Sequence, residues 1–347
     1  MSSSITSAGT TQLGPLTVSR LAFGCMLLGD RTPAEEAPRL LERFVEAGGT
    51  LLDTADVYGD GTSERVLAPW LAEHRDEVVV ATKLRFAMTD APGGTGLSPD
   101  RVRAACDASL QRMGIEVIDL YQVHAPDLDV PLEEQLEALD GLVRAGKVRA
   151  LGASNFPGWL LAWAVGLQER HGWTPFVSLQ PQYSLVERSI ELDALQFCRA
   201  AGLGVLPWGP LGAGFLTGRF RRTDAPEPGS RVGEAVGTDL EEAWERRATD
   251  ATWAAVAACK EVAGELGATI PQVAIAWLLH QPGITAPIIG PRTVEHLNDL
   301  LGGADLRLSN DQLERLSAAA PAQRTYPQRM LIEQVDLDFT QMRLARA

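Results

Sequence analysis

Four residues of the chain combine types that could move a proton. Asp53 closes the short apolar run Leu51-Leu52, and Tyr58 lies in the turn just beyond it. Lys83 closes the run that begins at Val78, and His124 closes the run that begins at Val117. A phenol is a weak acid, with an unperturbed pKa of about 10. A neighbouring ammonium stabilises the phenolate and brings that value toward neutrality. A carboxylate beside the ammonium keeps it charged and in place. An imidazole can orient a polar group or assist the transfer. Taken singly, each residue has an ordinary structural use: Asp caps or turns a strand end, Tyr packs as an amphipathic ring, and Lys at a rim is solvated. The four become one acid–base set only if the fold brings the ends of three successive strands together, at the roughly 5 Å spacing of paired strands.

That placement rests on eight short runs. They are Leu21-Ala22-Phe23, Leu51-Leu52, Val78-Val79-Val80, Val117 to Tyr121, Val148 to Leu151, Phe176 to Leu179, Val205-Leu206, and Ile284 to Ile289. Brief, mostly apolar runs suit strands buried on both faces of a parallel sheet. The stretches between them carry helix punctuation. Thr32-Pro33-Ala34-Glu35 reads as a capping Thr, a Pro at the first helical position and a Glu three residues on, with a stop at Gly48-Gly49. Ser98-Pro99 opens a second helix that stops at Met113-Gly114. From Pro131, Leu132, Leu136, Leu139 and Val143 share one face until Gly146. Eightfold strand–helix alternation implies a closed barrel or a doubly wound sheet. No GxGxxG follows a strand, which weighs against the dinucleotide-binding open sheet. Gly- and Pro-rich insertions from Arg85 to Leu97 and from Gly218 to about Asp239 would follow the third and seventh strands, on the face where barrel active sites lie. Residues 1–12 and the last dozen are expected to be loose.

Composition narrows the partners. The 347-residue chain is globular in make-up and carries a net charge of −14, which repels nucleic acid and anionic membrane. Cys25, Cys106, Cys198 and Cys259 are far apart and form no CxxC, so buried free thiols in a reducing cytoplasm are expected. The five histidines show no metal-ligand spacing, so no metal site is expected. The first residues lack the basic and apolar blocks of a signal peptide, and no apolar run has the length of a membrane span.

The segment Gly49-Thr50-Leu51-Leu52-Asp53-Thr54-Ala55-Asp56-Val57-Tyr58-Gly59 resembles the signature of the aldo-keto reductase superfamily. The likeness continues through Ala81-Thr82-Lys83, Asp119 to His124, Gly146 to Arg149, Gly152 to Phe156, Leu179 to Tyr183, Trp208 to Leu211 and Gly214 to Gly218, and spans about residues 12–319. It is nearest the bacterial and potassium-channel-β-like branch. The resemblance implies one (β/α)8 barrel domain over 1–347, with an N-terminal β-hairpin, long loops on the C-terminal face and a tail from 320. It implies a tetrad of Asp53, Tyr58, Lys83 and His124 that reduces an aldehyde or ketone: hydride reaches carbon from a nicotinamide, and Tyr58 gives oxygen its proton.

The cofactor residues follow from the same resemblance. Gly24, Cys25, Met26 and Asp53 would lie beside the nicotinamide ribose. Ser154, Asn155 and Gln180 would hold the carboxamide, since their groups both donate and accept. Trp208 would stack on the nicotinamide, and Gly209, Pro210 and Leu211 would offer backbone to the pyrophosphate. Arg219, Ser230, Arg231, Gly290, Arg292 and His296 would meet the adenosine end. Guanidinium groups on an acidic chain favour NADPH over NADH. The chain departs from the family pattern at His296, where Gln or Arg is common, at Leu300, where Asn is usual, and at Arg219, where Lys is common. Phe86 and Met88, with Tyr326 and Met330 of the tail, are candidates for shaping the substrate pocket. Other readings are a cofactor-binding regulatory subunit of the same fold and a glycosidase barrel. All four tetrad positions being filled disfavours the first, and the scarcity of strand-end carboxylates beyond Asp53 disfavours the second.

Overall fold

The computed structural model describes residues 9–88, 94–223, 226, 230–238 and 240–335. It opens with an antiparallel hairpin, β1 (Thr10–Leu13) and β2 (Leu16–Ser19). Residues 10–12, expected to be loose, are thus paired, whereas 1–8 and 336–347 lie outside the described residues. The hairpin turn packs so closely that a side chain at Gly14 would meet Val177 at 2.3 Å.

Eight parallel strands follow, matching the eight runs: β3 (Ala22–Gly24), β4 (Leu51–Asp53), β5 (Val79–Leu84), β6 (Ile118–Val123), β7 (Val148–Ser154), β8 (Phe176–Gln180), β9 (Gly204–Val205) and β10 (Ile288–Ile289). They pair in the order β10-β3-β4-β5-β6-β7-β8-β9. The ring closes through Thr285 N–H to Val205 O (2.9 Å) and Ile288 N–H to Pro207 O (2.8 Å). The architecture is a (β/α)8 barrel. Only the last part of the Ile284–Ile289 run becomes a strand, since Pro287 has no N–H to give a ladder.

Helices α1 (Ala37–Glu46), α2 (Thr62–His74), α3 (Pro99–Met113), α4 (Leu132–Arg144), α5 (Gly158–His171) and α6 (Ala194–Ala201) alternate with β3 to β9. The long β9–β10 link holds α7 (Arg231–Glu234), α8 (Trp244–Arg247), α9 (Asp250–Leu266) and α10 (Ile270–His280). Then come α11 (Val294–Asp305), α12 (Asn310–Ala319) and α13 (Gln328–Glu333). Ser98 caps α3 by accepting from Arg101 N–H (3.3 Å), and Gly114 ends that helix in the left-handed region. Thr32 does not cap: its buried hydroxyl has no partner among the described residues, and Pro33 precedes a single 3₁₀ turn before α1. The chain turns tightly there, with Thr32 N–H on Leu27 O, which aims the hydroxyl inward.

Strand alternation divides the interior. Leu51, Ala81, Leu120 and Ala150 point into the barrel and pack on Leu13, Leu16 and Val18 of the hairpin, which plugs its lower end. Leu52, Val80, Tyr121 and Leu151, each one residue away, point out into the larger core under the helices. Two residues further along β4, β5 and β6, and four along β7, the inward positions turn polar: Asp53, Lys83, Gln122 and Ser154. The same sequence alternation therefore builds a dry plug below and a polar layer above it.

Candidate active site

The polar layer is one hydrogen-bonded unit. The ammonium of Lys83, fully buried, donates to Asp53 Oδ2 at 2.7 Å, to Thr54 O at 2.8 Å and to the Tyr58 hydroxyl at 3.2 Å. Three N–H groups meet three acceptors, so none is wasted in the interior. Burial works against the charged amine and is the largest single influence. The Asp53 carboxylate, the Tyr58 phenol and their hydrogen bonds outweigh it, so the lysine pKa sits above its ordinary value. Asp53 Oδ1 is satisfied separately, by Gln180 Nε2 at 2.8 Å and Gln122 Nε2 at 3.2 Å. Gln122 was not among the residues singled out from sequence. The signal was present, since it stands two positions past inward-facing Leu120 on β6. Gly152 makes room for it: a side chain there would meet Gln122 Cγ at 3.1 Å and Ser178 Oγ at 2.5 Å.

His124 stands beside this unit. Its ring meets the Tyr58 ring edge-on, with centroids 5.7 Å apart, and Phe86 packs against its other side at 4.8 Å. Burial, helped by the nearby Lys83 charge, lowers the imidazole pKa to about 2. The ring is therefore neutral. Its Nδ1 is buried with no hydrogen-bond partner among the described residues. Beyond His124, Asn155 adopts φ +58° and donates to His124 O (2.9 Å), while its Oδ1 accepts from Trp208 Nε1 (2.9 Å). Ser154 Oγ in turn bonds Gln180 O at 2.8 Å.

One cavity of about 1180 Å³ opens above the layer. Asp53, Tyr58 and His124 line its deep end, with Gly24 and Met26 on one side and Ser154, Asn155, Gln180 and Trp208 on the other. Gly209, Pro210 and Leu211 continue the wall. Arg219, Ser230, Gly290, Arg292 and His296, with Leu300, line the far end. Cys25 is a correction: its thiol turns into the outer core, toward Phe23 O at 3.7 Å, and does not border the cavity. Arg231 opens α7, and its side chain lies outside the described residues. Nor do Phe86, Met88, Tyr326 and Met330 line the cavity, although Phe86 packs on His124, which does; Gln328 ties the tail to Leu192 O instead. Arg31, Glu242 and Lys260 border the cavity without having been foreseen, and Arg31 pairs with Glu234 of α7.

The long cleft fits a dinucleotide. Its deep end offers amide and hydroxyl groups suited to a carboxamide, an indole suited to a flat ring, and its far end offers guanidinium groups suited to phosphate. The described residues hold no cluster of metal-ligating side chains, and the four cysteines are free and buried. No single described helix is long and apolar enough to cross a membrane.

A barrel with this family of relatives is an NAD(P)H-dependent oxidoreductase. The chain belongs to the aldo/keto reductase family, whose model matches residues 20–321. It is 35% identical over 317 residues to the uncharacterized oxidoreductase YrpG of Bacillus subtilis, covering 88% of this chain and 93% of the relative. It is 34% identical to an aryl-alcohol dehydrogenase [NADP(+)] of Phanerodontia chrysosporium, covering 91% of this chain and 87% of that one. It is also 30% identical to a norsolorinic acid reductase of Aspergillus flavus, over 95% of this chain and 83% of the relative.

Proposed function

We propose that the protein reduces an aldehyde or ketone to its alcohol with NADPH, and that Tyr58 donates the proton. The observation that carries this reading is the Asp53–Lys83–Tyr58 chain at the deep end of the cleft. The phenol oxygen accepts from the ammonium, so the proton passed to the substrate in this reading is the phenol's own. As that proton leaves, the charge forming on the phenolate falls beside the lysine, which lowers the barrier to transfer. His124, being neutral, supplies polarity without competing as an acid. With Nδ1 unpartnered, the tautomer that avoids a buried orphan N–H carries its hydrogen on Nε2, ready to donate to a carbonyl oxygen. The bound nicotinamide supplies the hydride.

Trp208, fixed by its bond to Asn155, would hold the nicotinamide ring, and Ser154, Asn155 and Gln180 would hold its carboxamide. Arg219 and Arg292 at the far end favour the 2′-phosphate and hence NADPH over NADH. The apolar groups near the mouth, among them Met26, Leu27 and the Phe86 ring against His124, suit a flat, partly hydrophobic carbonyl. The name of the aryl-alcohol dehydrogenase relative agrees with that choice.

The test is loss of reduced-nicotinamide absorbance against a panel of aryl and aliphatic carbonyls, with NADPH and NADH. Turnover of aryl aldehydes with NADPH is expected. Tyr58→Phe should lower turnover by about 10²-fold or more, the range of general acid catalysis, with NADPH affinity kept. Near-normal turnover in that variant would refute the role of Tyr58. NADPH binding with no turnover of any carbonyl would point instead to a regulatory subunit.

A further inference from the structure

We propose that the ion pair between Asp56 and Arg101 is a positioning device for the Tyr58 hydroxyl, so that a helix outside the barrel sets the rate without touching the cleft. The inference rests on the reading of Tyr58 as proton donor. It starts from a pair that the chemistry described so far leaves unused. Asp56 lies two residues before Tyr58 and Arg101 lies in the first turn of α3. Arg101 Nη2 reaches Asp56 Oδ2 at 3.1 Å, and both side chains are 1% exposed. Neither borders the cavity.

The pair is poorly made for stability. Asp56 Oδ1 and Arg101 Nε are buried with no hydrogen-bond partner among the described residues. A buried ion pair with unmet groups gains less from attraction than it loses in hydration, and apolar side chains of similar volume would serve the fold as well. Its position suggests the other use. The loop that carries Tyr58 is fastened at Thr54, whose hydroxyl bonds Ser63 Oγ (2.7 Å), which bonds Cys25 O (2.9 Å). It is fastened again at Asp56, through its N–H to Lys83 O (3.1 Å) and its carboxylate to Arg101. After Tyr58 the chain makes three successive left-handed residues, Gly59 (φ +56°), Asp60 (φ +53°) and Gly61 (φ +82°). Tyr58 itself is tied back by its N–H to Ala55 O (3.2 Å), the residue next to Asp56, so the anchor at Asp56 bears directly on where the phenol stands relative to Lys83.

The pair also makes that position depend on pH. Asp56 is faced by Arg101 and Arg112 of α3, Glu64 of α2 and Tyr121 of β6, with the Lys83 carbonyl of β5 on its N–H. Burial lifts its carboxyl to about 6, against the opposing pull of Arg101. Below that pH the carboxylate takes a proton and the ion pair is lost. His124 does not titrate in this window, since its pKa is about 2. An acid-side fall in kcat centred near pH 6 therefore reports Asp56.

The experiment compares the full-length wild type with the double variant Asp56→Val/Arg101→Met, in which the charges go and the summed volume changes little. Readouts are kcat and KM from about pH 5 to 9, NADPH affinity, and urea unfolding. Expected are an unfolding midpoint at least that of the wild type and an unchanged NADPH affinity. Turnover should fall about tenfold or more, the size of effect produced by small misplacement of a reacting group. The acid limb should vanish. A double variant with wild-type kcat and the wild-type acid limb would overturn the proposal. So would a wild type whose kcat is flat between about pH 5 and 7, a readout that needs no variant to fold. Tyr58→Phe separates the two claims. If it turns over normally, the reading of the site fails and this inference with it. If it is inactive while the double variant is fully active, only the pairing role fails.

Discussion

The two ends of the cleft are built differently. At the deep end, Asp53, Lys83, Gln122 and Gln180 sit on four strands, are essentially buried, and bond one another. At the far end, Arg219 and Ser230 sit on the β9–β10 link, and Arg292 and His296 follow β10. What steadies the link is an aromatic cluster of Phe215, Phe220, Trp244 and Trp253, with the Arg219 guanidinium over the Phe220 ring at 4.4 Å. These four side chains are one another's partners, so their geometry is a property of the barrel itself. The far end is a set of charges on a surface, each close to water. Rate should therefore be fixed by the strands and by what holds Tyr58 against them, and cofactor choice and affinity by the loops of the far end.

Lys83→Met is the strongest way to break that contrast. It removes the charge beside the phenol and leaves Asp53 buried without its cation. Stability should fall by about 3–5 kcal/mol, the cost of orphaning one member of a buried ion pair. Turnover of the folded fraction should fall by about 10²-fold or more. Urea unfolding and kcat measured on the same preparation check both. A variant of unchanged stability would mean that the deep end is not the coupled unit described here.

Gln122→Leu probes the same end more gently. Asp53 keeps Lys83 and Gln180 and loses one charge-assisted hydrogen bond. The expected loss is about 1.5–3 kcal/mol in stability, with a fall in kcat smaller than that of Lys83→Met. If Gln122→Leu changes KM for NADPH and leaves kcat alone, the partition between the two ends is wrong.

The same contrast explains what was legible in the sequence. The eight strands were, because brief apolar runs separated by capped helices admit few folds, and the polar residues closing three successive runs, Asp53, Lys83 and His124, marked the deep end. Gln122 was missed because it sits inside its run rather than at its end, where only the alternation from Leu120 reveals that it faces inward. Cys25 was misplaced for the same reason: one step along β3 from inward-facing Gly24 puts its thiol on the outer face. Thr32 carried a capping sequence but not a capping backbone, since the tight turn from Leu27 decides where its hydroxyl points. The tail was expected at the pocket because loops there have no periodicity to place them, and its docking to Leu192 comes from one side-chain bond. Asp56 and Arg101 are 45 residues apart, and only the packing of α3 on the barrel shows that they meet.

The smallest expected effect belongs to the far end. Arg292 lines the cavity just after β10, in the exposed turn before α11. Arg292→Ala should leave kcat with saturating NADPH near wild type, because no group of the deep layer bonds it. Its loss should weaken NADPH by about tenfold, roughly 1.4 kcal/mol, the scale of one exposed charge-assisted contact to phosphate. NADH, which lacks the 2′-phosphate, should be almost unaffected, so the ratio of the two KM values is the measurement. Added salt should weaken NADPH in the wild type more than in the variant, since a contact open to water is screened. Equal losses for both cofactors would assign Arg292 to the shared pyrophosphate, and the preference for NADPH would then have to come from Arg219 or Lys260.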